Sequence, residues 1–383
     1  MKLGDEIIFK IDDWTLEGMG VGHVDGMAVF VDGGVIGDTV SAKILKIKKN
    51  YVISKFLKII QESELRRKSP CKYASVCSGC DIIEMKPEEQ VKWKKKKIEN
   101  DFSRLGKTEI SVNISSFEEF GYRNKVTFRL SKDGKLAYTK RKSNDTFEVY
   151  NCLVAAAEIQ SEMKRWNEEV APLLEKNSLC NVIRAVVFKS NYAEEIMIVI
   201  ITDIISEKIR SDIFECVDTL KPEVLCACAN KRMRDISISN PVYYTENKVL
   251  NENLFGYNFK VSPQSFFQVN KYSREALYSE AFKLFSNIKN RTVLDLYSGT
   301  GTTSLLIAKE AKKVVGVEIV ESAVNDAKNS AKRNNVKNVD FRCGKAEDMI
   351  DSLIEETDAD AILVDPPRKG LDRKVVEAIN NSS

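Results

Sequence analysis

The chain has 383 residues, of which 43% are hydrophobic and 30% charged, and its formal net charge is +3. This balance is typical of a folded globular protein, and the length is sufficient for about two or three domains with complete cores. No stretch approaches the roughly 18 uninterrupted apolar residues of a membrane-spanning helix, and the N-terminus lacks the pattern of a secretory signal. Nine cysteines, an odd number in a large chain, argue against a disulfide framework. We therefore expect a cytoplasmic protein without a membrane anchor.

Positive charge is concentrated in two stretches of the N-terminal third. Ten Lys or Arg residues lie between Ser41 and Lys72, and a second basic run occupies Lys92–Lys97. Clustered cations suit a polyphosphate partner, because each neutralised phosphate releases counterions. A solvated charged face is the alternative for either run alone. Together the two runs favour nucleic acid.

Residues 1 to about 60 are predicted to form a small antiparallel β-barrel. Glycines at the expected turns separate short apolar runs. We expect strands at Glu6–Ile11, Ala28–Val31, Val40–Ile47 and Tyr51–Leu57.

A cysteine-rich segment follows the barrel. Cys71, Cys77 and Cys80 are separated by five and two residues, and Cys152 is the candidate for a fourth ligand. Thiolates bind iron–sulfur centres or zinc, and a structural zinc site more usually has a second C-x-x-C pair. The spacing favours an iron–sulfur centre, with zinc and unligated thiols as alternatives. The remaining cysteines are expected to be buried small hydrophobic residues: Cys180, Cys216, Cys226, Cys228 and Cys343.

The region from Pro87 to Ala229 is predicted to be α+β. Pro87 opens a helix whose apolar side is formed by Val91, Ile98, Phe102 and Leu105. We expect two or three strands within Tyr122–Tyr150, further strands at Val182–Lys189, Glu195–Thr202 and Val224–Ala229, and helices at Ala155–Lys176 and Ser206–Leu220.

From Val261 onward the pattern changes to apolar strands that alternate with helices. Such strands indicate a parallel sheet covered on both faces. A helix is expected at Lys271–Ser286, followed by strands at Val293–Leu296, Val314–Val317, Val339–Arg342 and Ile362–Val364.

A glycine turn follows the first of these parallel strands. Gly299 and Gly301 allow the backbone to pass close to a ligand, and N–H groups at the next helix start can face it. Glu318 ends the next strand, where a carboxylate can accept hydrogen bonds from both hydroxyls of a ribose. The dinucleotide fingerprint would prefer a third glycine at Ser304. The pattern predicts nucleoside binding, with a plain structural turn as the alternative.

The sequence Asp365-Pro-Pro-Arg368 closes the fourth strand. Prolines end the hydrogen-bond ladder at the carboxyl edge, where ligands of open α/β sheets bind. Asp365 is therefore expected to face the ligand cleft, with a structural strand stop as the alternative.

Taken together, these motifs resemble the RNA 5-methyluridine methyltransferase family, in the branch with an N-terminal TRAM domain and a 4Fe–4S cluster. Phe266–Asn270 resembles the segment that enters the catalytic domain of that family, and Tyr122–Val126 resembles the opening of its central domain. The resemblance implies three domains: an OB-like TRAM barrel at 1–60, a central α+β domain at 61–265, and a class I methyltransferase domain of Rossmann-like α/β fold at 266–383.

The resemblance also implies site residues and an activity. Cys71, Cys77, Cys80 and Cys152 would hold the 4Fe–4S cluster. S-adenosyl-L-methionine or the target uracil would be contacted by Gln268, Tyr297, Gly299, Gly301, Glu318 and Asp365. The implied reaction is formation of 5-methyluridine in RNA, with 23S rRNA favoured over tRNA.

One element of that family is not found among the nine cysteines. Its members attack uracil C6 with a cysteine in a Ser-Cys-Asn-Pro segment downstream of Asp-Pro-Pro-Arg, and no cysteine here has that context. The class I sheet is also incomplete, so we expect a C-terminally truncated chain whose nucleophile lies beyond Ser383. The alternatives are a catalytically inactive RNA-binding homologue and an amine-directed N-methyltransferase. The latter needs no cysteine, but it commonly has an aromatic residue where Arg368 stands.

Overall fold

The computed structural model describes residues 1–230, 236–238, 240–284 and 287–382. The chain divides into two compact units. The N-terminal unit comprises Met1–Ser116 with Thr139–Asp145, and the C-terminal unit comprises Phe117–Tyr138 with Thr146–Ser383. Within the described residues, no helix combines the length and the apolar character needed to cross a membrane.

The N-terminal unit contains a six-stranded sheet of order β1-β5-β6-β4-β3-β2. Its strands are β1 (Glu6–Lys10), β2 (Asp13–Trp14), β3 (Gly20–Val24), β4 (Met27–Val31), β5 (Thr39–Ile47) and β6 (Tyr51–Gln61). Neighbouring strands are antiparallel except β4 and β6. The core includes Ile11 and Val40, and a Cβ placed on Gly34 would lie 2.3 Å from Ile11 Cδ1. All four predicted strands are present. Because a Cβ at Gly34 would collide with this core, the turn there requires glycine.

Helix α1 (Pro87–Gly106) begins at the predicted proline. Glu88 and Glu89 in its first turn interact favourably with the helix dipole. None of its residues, all of which the structure describes, is buried. Phe102 is 49% exposed and Leu105 is 73% exposed. The predicted apolar side is thus not a core-facing side.

The C-terminal unit begins with a seven-stranded sheet of order β13-β12-β11-β10-β7-β8-β9. Its strands are β7 (Lys125–Leu130), β8 (Leu136–Thr139), β9 (Thr146–Glu148), β10 (Ile183–Ser190), β11 (Ile196–Thr202), β12 (Val224–Ala229) and β13 (Val242–Tyr243). The helices of this part are α2 (Ala157–Arg165), α3 (Ala171–Lys176) and α4 (Glu207–Val217). One π-helical turn, Trp166–Val170, joins α2 to α3, so the helix predicted at Ala155–Lys176 is confirmed with an irregular centre.

The last part of the chain has alternating strands and helices. A hairpin of β14 (Leu250–Leu254) and β15 (Tyr257–Val261) precedes α5 (Arg274–Leu284). A parallel sheet of order β18-β17-β16-β19 follows. Its elements are β16 (Thr292–Leu296), α6 (Thr302–Ile307), β17 (Lys313–Glu318), α7 (Glu321–Arg333), β18 (Val339–Cys343), α8 (Ala346–Thr357), β19 (Ala361–Val364) and α9 (Arg373–Asn381). The four predicted parallel strands are confirmed, whereas the predicted end of the preceding helix at Ser286 lies outside the described residues.

Candidate active site

The carboxyl ends of three parallel strands meet at one edge of the sheet. Leu296 of β16 lies opposite Val317 of β17 and opposite Val364 of β19. The residues that follow these strands, which include Glu318 and Asp365, are therefore at the same edge. Open parallel sheets bind ligands at this edge.

The turn after β16 has an unusual backbone. Tyr297, Gly299 and Gly301 have φ values of 68°, 55° and 76°. A positive φ is uncommon for tyrosine, and such backbone outliers cluster at functional sites. A Cβ on Gly301 would lie 2.6 Å from Phe341 Cζ, whereas one on Gly299 would meet no described atom within 4 Å. Packing thus requires Gly301, and Gly299 borders open space.

The carboxylate of Glu318 is bonded to this turn. Its Oε2 accepts a hydrogen bond from the Gly299 amide at 3.1 Å, and its Oε1 accepts one from the Val320 amide at 2.8 Å. A carboxylate has about four acceptor positions, so capacity for two hydroxyl donors remains. Glu318 is therefore fixed beside the glycine turn in a form suited to bind a diol.

Asp295 is buried beneath the same turn. The Ser304 hydroxyl donates to Asp295 Oδ2 at 2.5 Å. Burial raises the pKa of Asp295 to about 7, the Ser304 hydrogen bond opposes this rise, and the charge of Asp365 adds to it. Ser304, which departs from the dinucleotide fingerprint, thus has a defined bonding role here.

Tyr278 of α5 lies near this group of carboxyls, and sequence reasoning missed it. Burial raises its pKa to about 12, a hydrogen bond with Thr302 opposes the rise, and Asp365 and Asp295 add to it. Asp365 itself is exposed at the end of β19. Asp295 and Asp365 are thus close enough to Tyr278 for their charges to raise its pKa.

The segment Phe266–Asn270 runs beside Tyr122–Val126, so two motifs far apart in sequence are neighbours. The Asn124 amide donates to the Val269 carbonyl at 2.9 Å, and the Lys271 amide donates to the Tyr122 carbonyl at 3.0 Å. Phe267 is buried in a core shared with residues of α6, Gln268 is half-buried, and Phe266 is 56% exposed. Because α6 begins at the glycine turn, the core beneath Phe267 links this segment to the turn.

The four predicted ligand cysteines are half-buried, and none of the four is in a disulfide bond. Cys71, Cys77 and Cys80 lie in the N-terminal unit, and Cys152 lies in the C-terminal unit between β9 and α2. The Gly79 amide donates to Cys77 Sγ at 3.4 Å. In the part of the chain that the structure describes, no three or more His, Cys, Asp or Glu side chains are arranged to hold a metal ion. The donor chemistry suits a soft metal centre, but the described side chains do not form a ligand shell.

The predictions for the other cysteines are mostly confirmed. Cys180, Cys216, Cys226 and Cys228 are buried. The prediction for Cys343 is wrong, because its side chain is exposed at the end of β18. Its strand ends at the ligand edge of the sheet rather than within a core.

The parallel sheet, its glycine turn and the carboxylate beside that turn define a methyltransferase-type Rossmann-like domain. A family model described as tRNA (Uracil-5-)-methyltransferase matches residues 86–382, and a TRAM domain model matches residues 2–57. The chain belongs to the tRNA (uracil-5-)-methyltransferase family and carries an N-terminal TRAM domain. By family it is an RNA-methylating enzyme.

Individual relatives agree with this assignment. An uncharacterized RNA methyltransferase of Clostridium acetobutylicum is 31% identical over 100% of this chain and 87% of its own length. A second, of Caldanaerobacter subterraneus, is 34% identical over 99% of this chain and 87% of its own length. The structure of Pyrococcus abyssi tRNA (uracil-54, C5)-methyltransferase in complex with S-adenosyl-L-homocysteine has a TM-score of 0.77 at 21% identity, and covers 98% of this chain and 87% of the other. That likeness confirms the fold.

Proposed function

We propose that this protein transfers a methyl group from S-adenosyl-L-methionine to C5 of a uracil in RNA. The observation that carries the proposal is the edge where Gly299 borders open space and donates to Glu318, with Asp365 on the neighbouring strand. Glu318 would accept the ribose hydroxyls. Gly299 and Gly301 would let the backbone approach the donor, and Tyr297, Gln268 and Asp365 would contact the donor or the uracil.

The chemistry requires an activated pyrimidine. Uracil C5 is a poor nucleophile until a thiolate adds to C6 and produces an enolate. S-adenosyl-L-methionine would supply the methyl group to C5. Loss of the C5 proton and cleavage of the C6–S bond then give 5-methyluridine and free thiolate.

None of the nine cysteines is proposed as that thiolate. Burial raises the pKa of Cys180, Cys216 and Cys226, which opposes formation of the nucleophilic form. Cys228 is fully buried in β12. Cys343 is exposed but belongs to no segment of the expected kind.

The four half-buried thiols are proposed to hold a 4Fe–4S cluster with a structural or RNA-shaping role. Support comes from the spacing of Cys71, Cys77 and Cys80, and from the Gly79 amide directed at a sulfur atom. Methyl transfer from a sulfonium involves no net electron transfer, so the reaction needs no redox centre. Iron and sulfide analysis of anaerobically purified protein tests this assignment.

The substrate is proposed to be large-subunit rRNA in the cytoplasm, with tRNA as the alternative. Three domains are proposed: residues 1–60 would bind RNA, residues 61–265 would hold the cluster, and residues 266–383 would transfer the methyl group. Both RNAs, prepared without modification, should be incubated with labelled donor and digested to nucleosides. Labelled 5-methyluridine from rRNA supports the full proposal, and label from tRNA alone contradicts the rRNA assignment. Binding without label indicates the inactive RNA-binding alternative, and a methylated exocyclic amine indicates the N-methyltransferase.

A further inference from the structure

A short loop, Ser262–Ser265, precedes the segment that contains Gln268, and a buried lysine holds it. Lys189 lies in β10 of the seven-stranded sheet and is 5% exposed. Its Nζ donates to the carbonyls of Ser262, Pro263 and Ser265 at 3.2, 2.8 and 3.0 Å. These contacts use all three donors of an ammonium group.

The same loop is held from another element by Asp326 of α7. Asp326 Oδ2 accepts the Ser262 amide at 2.9 Å and the Ser265 hydroxyl at 2.7 Å. Helix α7 follows β17, the strand that ends at Glu318. Lys189 and Asp326 therefore connect the seven-stranded sheet and the donor-side sheet through one loop.

The chain after the loop is also anchored. The Arg274 guanidinium lies 5.4 Å from the centroid of the Phe267 ring, and Arg274 Nη1 lies 3.1 Å from Glu252 Oε2. Both charged side chains are less than 10% exposed. Phe267 is thus held against the Arg274 guanidinium, while the neighbouring Phe266 is exposed.

A buried ammonium in a core strand needs an explanation. Burial lowers the pKa of Lys189 to about 7, and the nearby Lys125 acts in the same direction. An apolar residue in β10 would avoid this cost but would remove the lysine donor from three loop carbonyls, of which the Ser262 carbonyl would keep a hydrogen bond from the Ser265 amide at 3.2 Å. The loop conformation, rather than the sheet, therefore accounts for a lysine at this position.

We propose that Lys189, together with Asp326, is a positioning residue that fixes the Ser262–Ser265 loop and thereby places Gln268 in the methyl-donor site. The inference rests on the proposed function. Its readout is therefore binding of S-adenosylhomocysteine, measured by titration calorimetry without RNA. Failure of the wild-type protein to bind this probe overturns the proposed function and the inference with it.

The test is a double-mutant cycle with Lys189→Met and Asp326→Asn. Each single variant is expected to weaken binding by roughly tenfold or more, because a small displacement of a contacting group is costly. The double variant is expected to bind about as weakly as the single ones, because both residues act on one loop. Additive losses, or unchanged affinity in either single variant, would overturn the proposal.

A purely structural effect is separated by a matched core variant. Val187→Ala lies two residues from Lys189 on the same strand and removes buried apolar volume from a core cluster that includes none of the loop residues. It should lower the melting temperature but leave the affinity unchanged. If Val187→Ala and Lys189→Met have the same melting temperature and the affinity falls equally in both, the positioning role is contradicted. If Lys189→Met does not fold, Ser265→Ala removes one hydroxyl of the same arrangement, and unchanged affinity in that variant would equally contradict it.

Discussion

The Gly299 amide donates to the Glu318 carboxylate at 3.1 Å, so the turn after β16 and the carboxylate after β17 form one bonded unit. Neither residue alone distinguishes a binding site from a structural turn. Their contact places an acceptor group beside backbone that has open space in front of it.

Glu318→Gln should weaken S-adenosylhomocysteine binding about 10- to 100-fold. The amide retains an acceptor oxygen but loses the charge, and hydrogen bonds to charged groups contribute about 1.5–3 kcal/mol. Titration calorimetry measures the effect. Glu355→Gln, on the exposed surface of α8, is the matched control and should bind as the wild type does. Equal affinities for all three proteins would remove Glu318 from the donor site.

Alanine at the two turn glycines should have different consequences. Gly301→Ala brings a Cβ into contact with Phe341 and adopts a left-handed backbone, so the free energy of unfolding should fall by more than about 3 kcal/mol. Gly299→Ala meets no such contact, and its backbone strain should cost only about 1 kcal/mol. Its Cβ enters the open space, so ligand affinity should fall instead. Urea unfolding and calorimetry on both variants measure the two effects, and a reversed order would contradict this description of the turn.

The parallel strands and the glycine turn could be predicted because their signals are local. Continuous apolar runs such as Val314–Val317 indicate buried strands, and Pro87 marks a helix start at its own position. Lys189 and Asp326 could not be predicted in this way, because their partners are distant in sequence and meet only in the folded chain. One local signal was present: Lys189 is a charged residue that directly follows the apolar run Ala185–Phe188. The prediction for Cys343 was wrong because cysteine is usually a buried residue type, whereas this cysteine lies at the exposed end of a strand.

Asp295 should make stability depend on pH. Its folded pKa of about 7 lies above the ordinary value of 3.8 for an aspartate, because burial disfavours the charged form. Between pH 3.8 and about 7, the folded state therefore binds more protons than the unfolded state. The contribution of Asp295 to stability is lost as the pH rises toward about 7. Asp295→Asn can still accept from Ser304 and removes the titration.

Urea unfolding at several pH values between about 4 and 8 tests this effect. Relative to Asp295→Asn, the wild-type protein should lose stability as pH rises and level off above about pH 7. Asp351→Asn, at an exposed position of α8, should follow the wild-type curve. Parallel curves for the wild type and Asp295→Asn would show that the buried carboxyl does not titrate in this range.

Cys152→Ser should abolish most of the bound iron if the four thiols hold a cluster, because a 4Fe–4S centre uses four thiolate ligands. Cys343→Ser is the matched control, since it removes an exposed thiol outside the proposed set and should leave the iron content unchanged. Iron and sulfide per protein, with visible absorbance after anaerobic purification, measure the outcome. Loss of iron in both variants would indicate general instability rather than ligation. Iron retained in Cys152→Ser would remove Cys152 from the ligand set and leave Cys71, Cys77 and Cys80 without their proposed partner. Iron-free wild-type protein would contradict the cluster proposal for all four thiols.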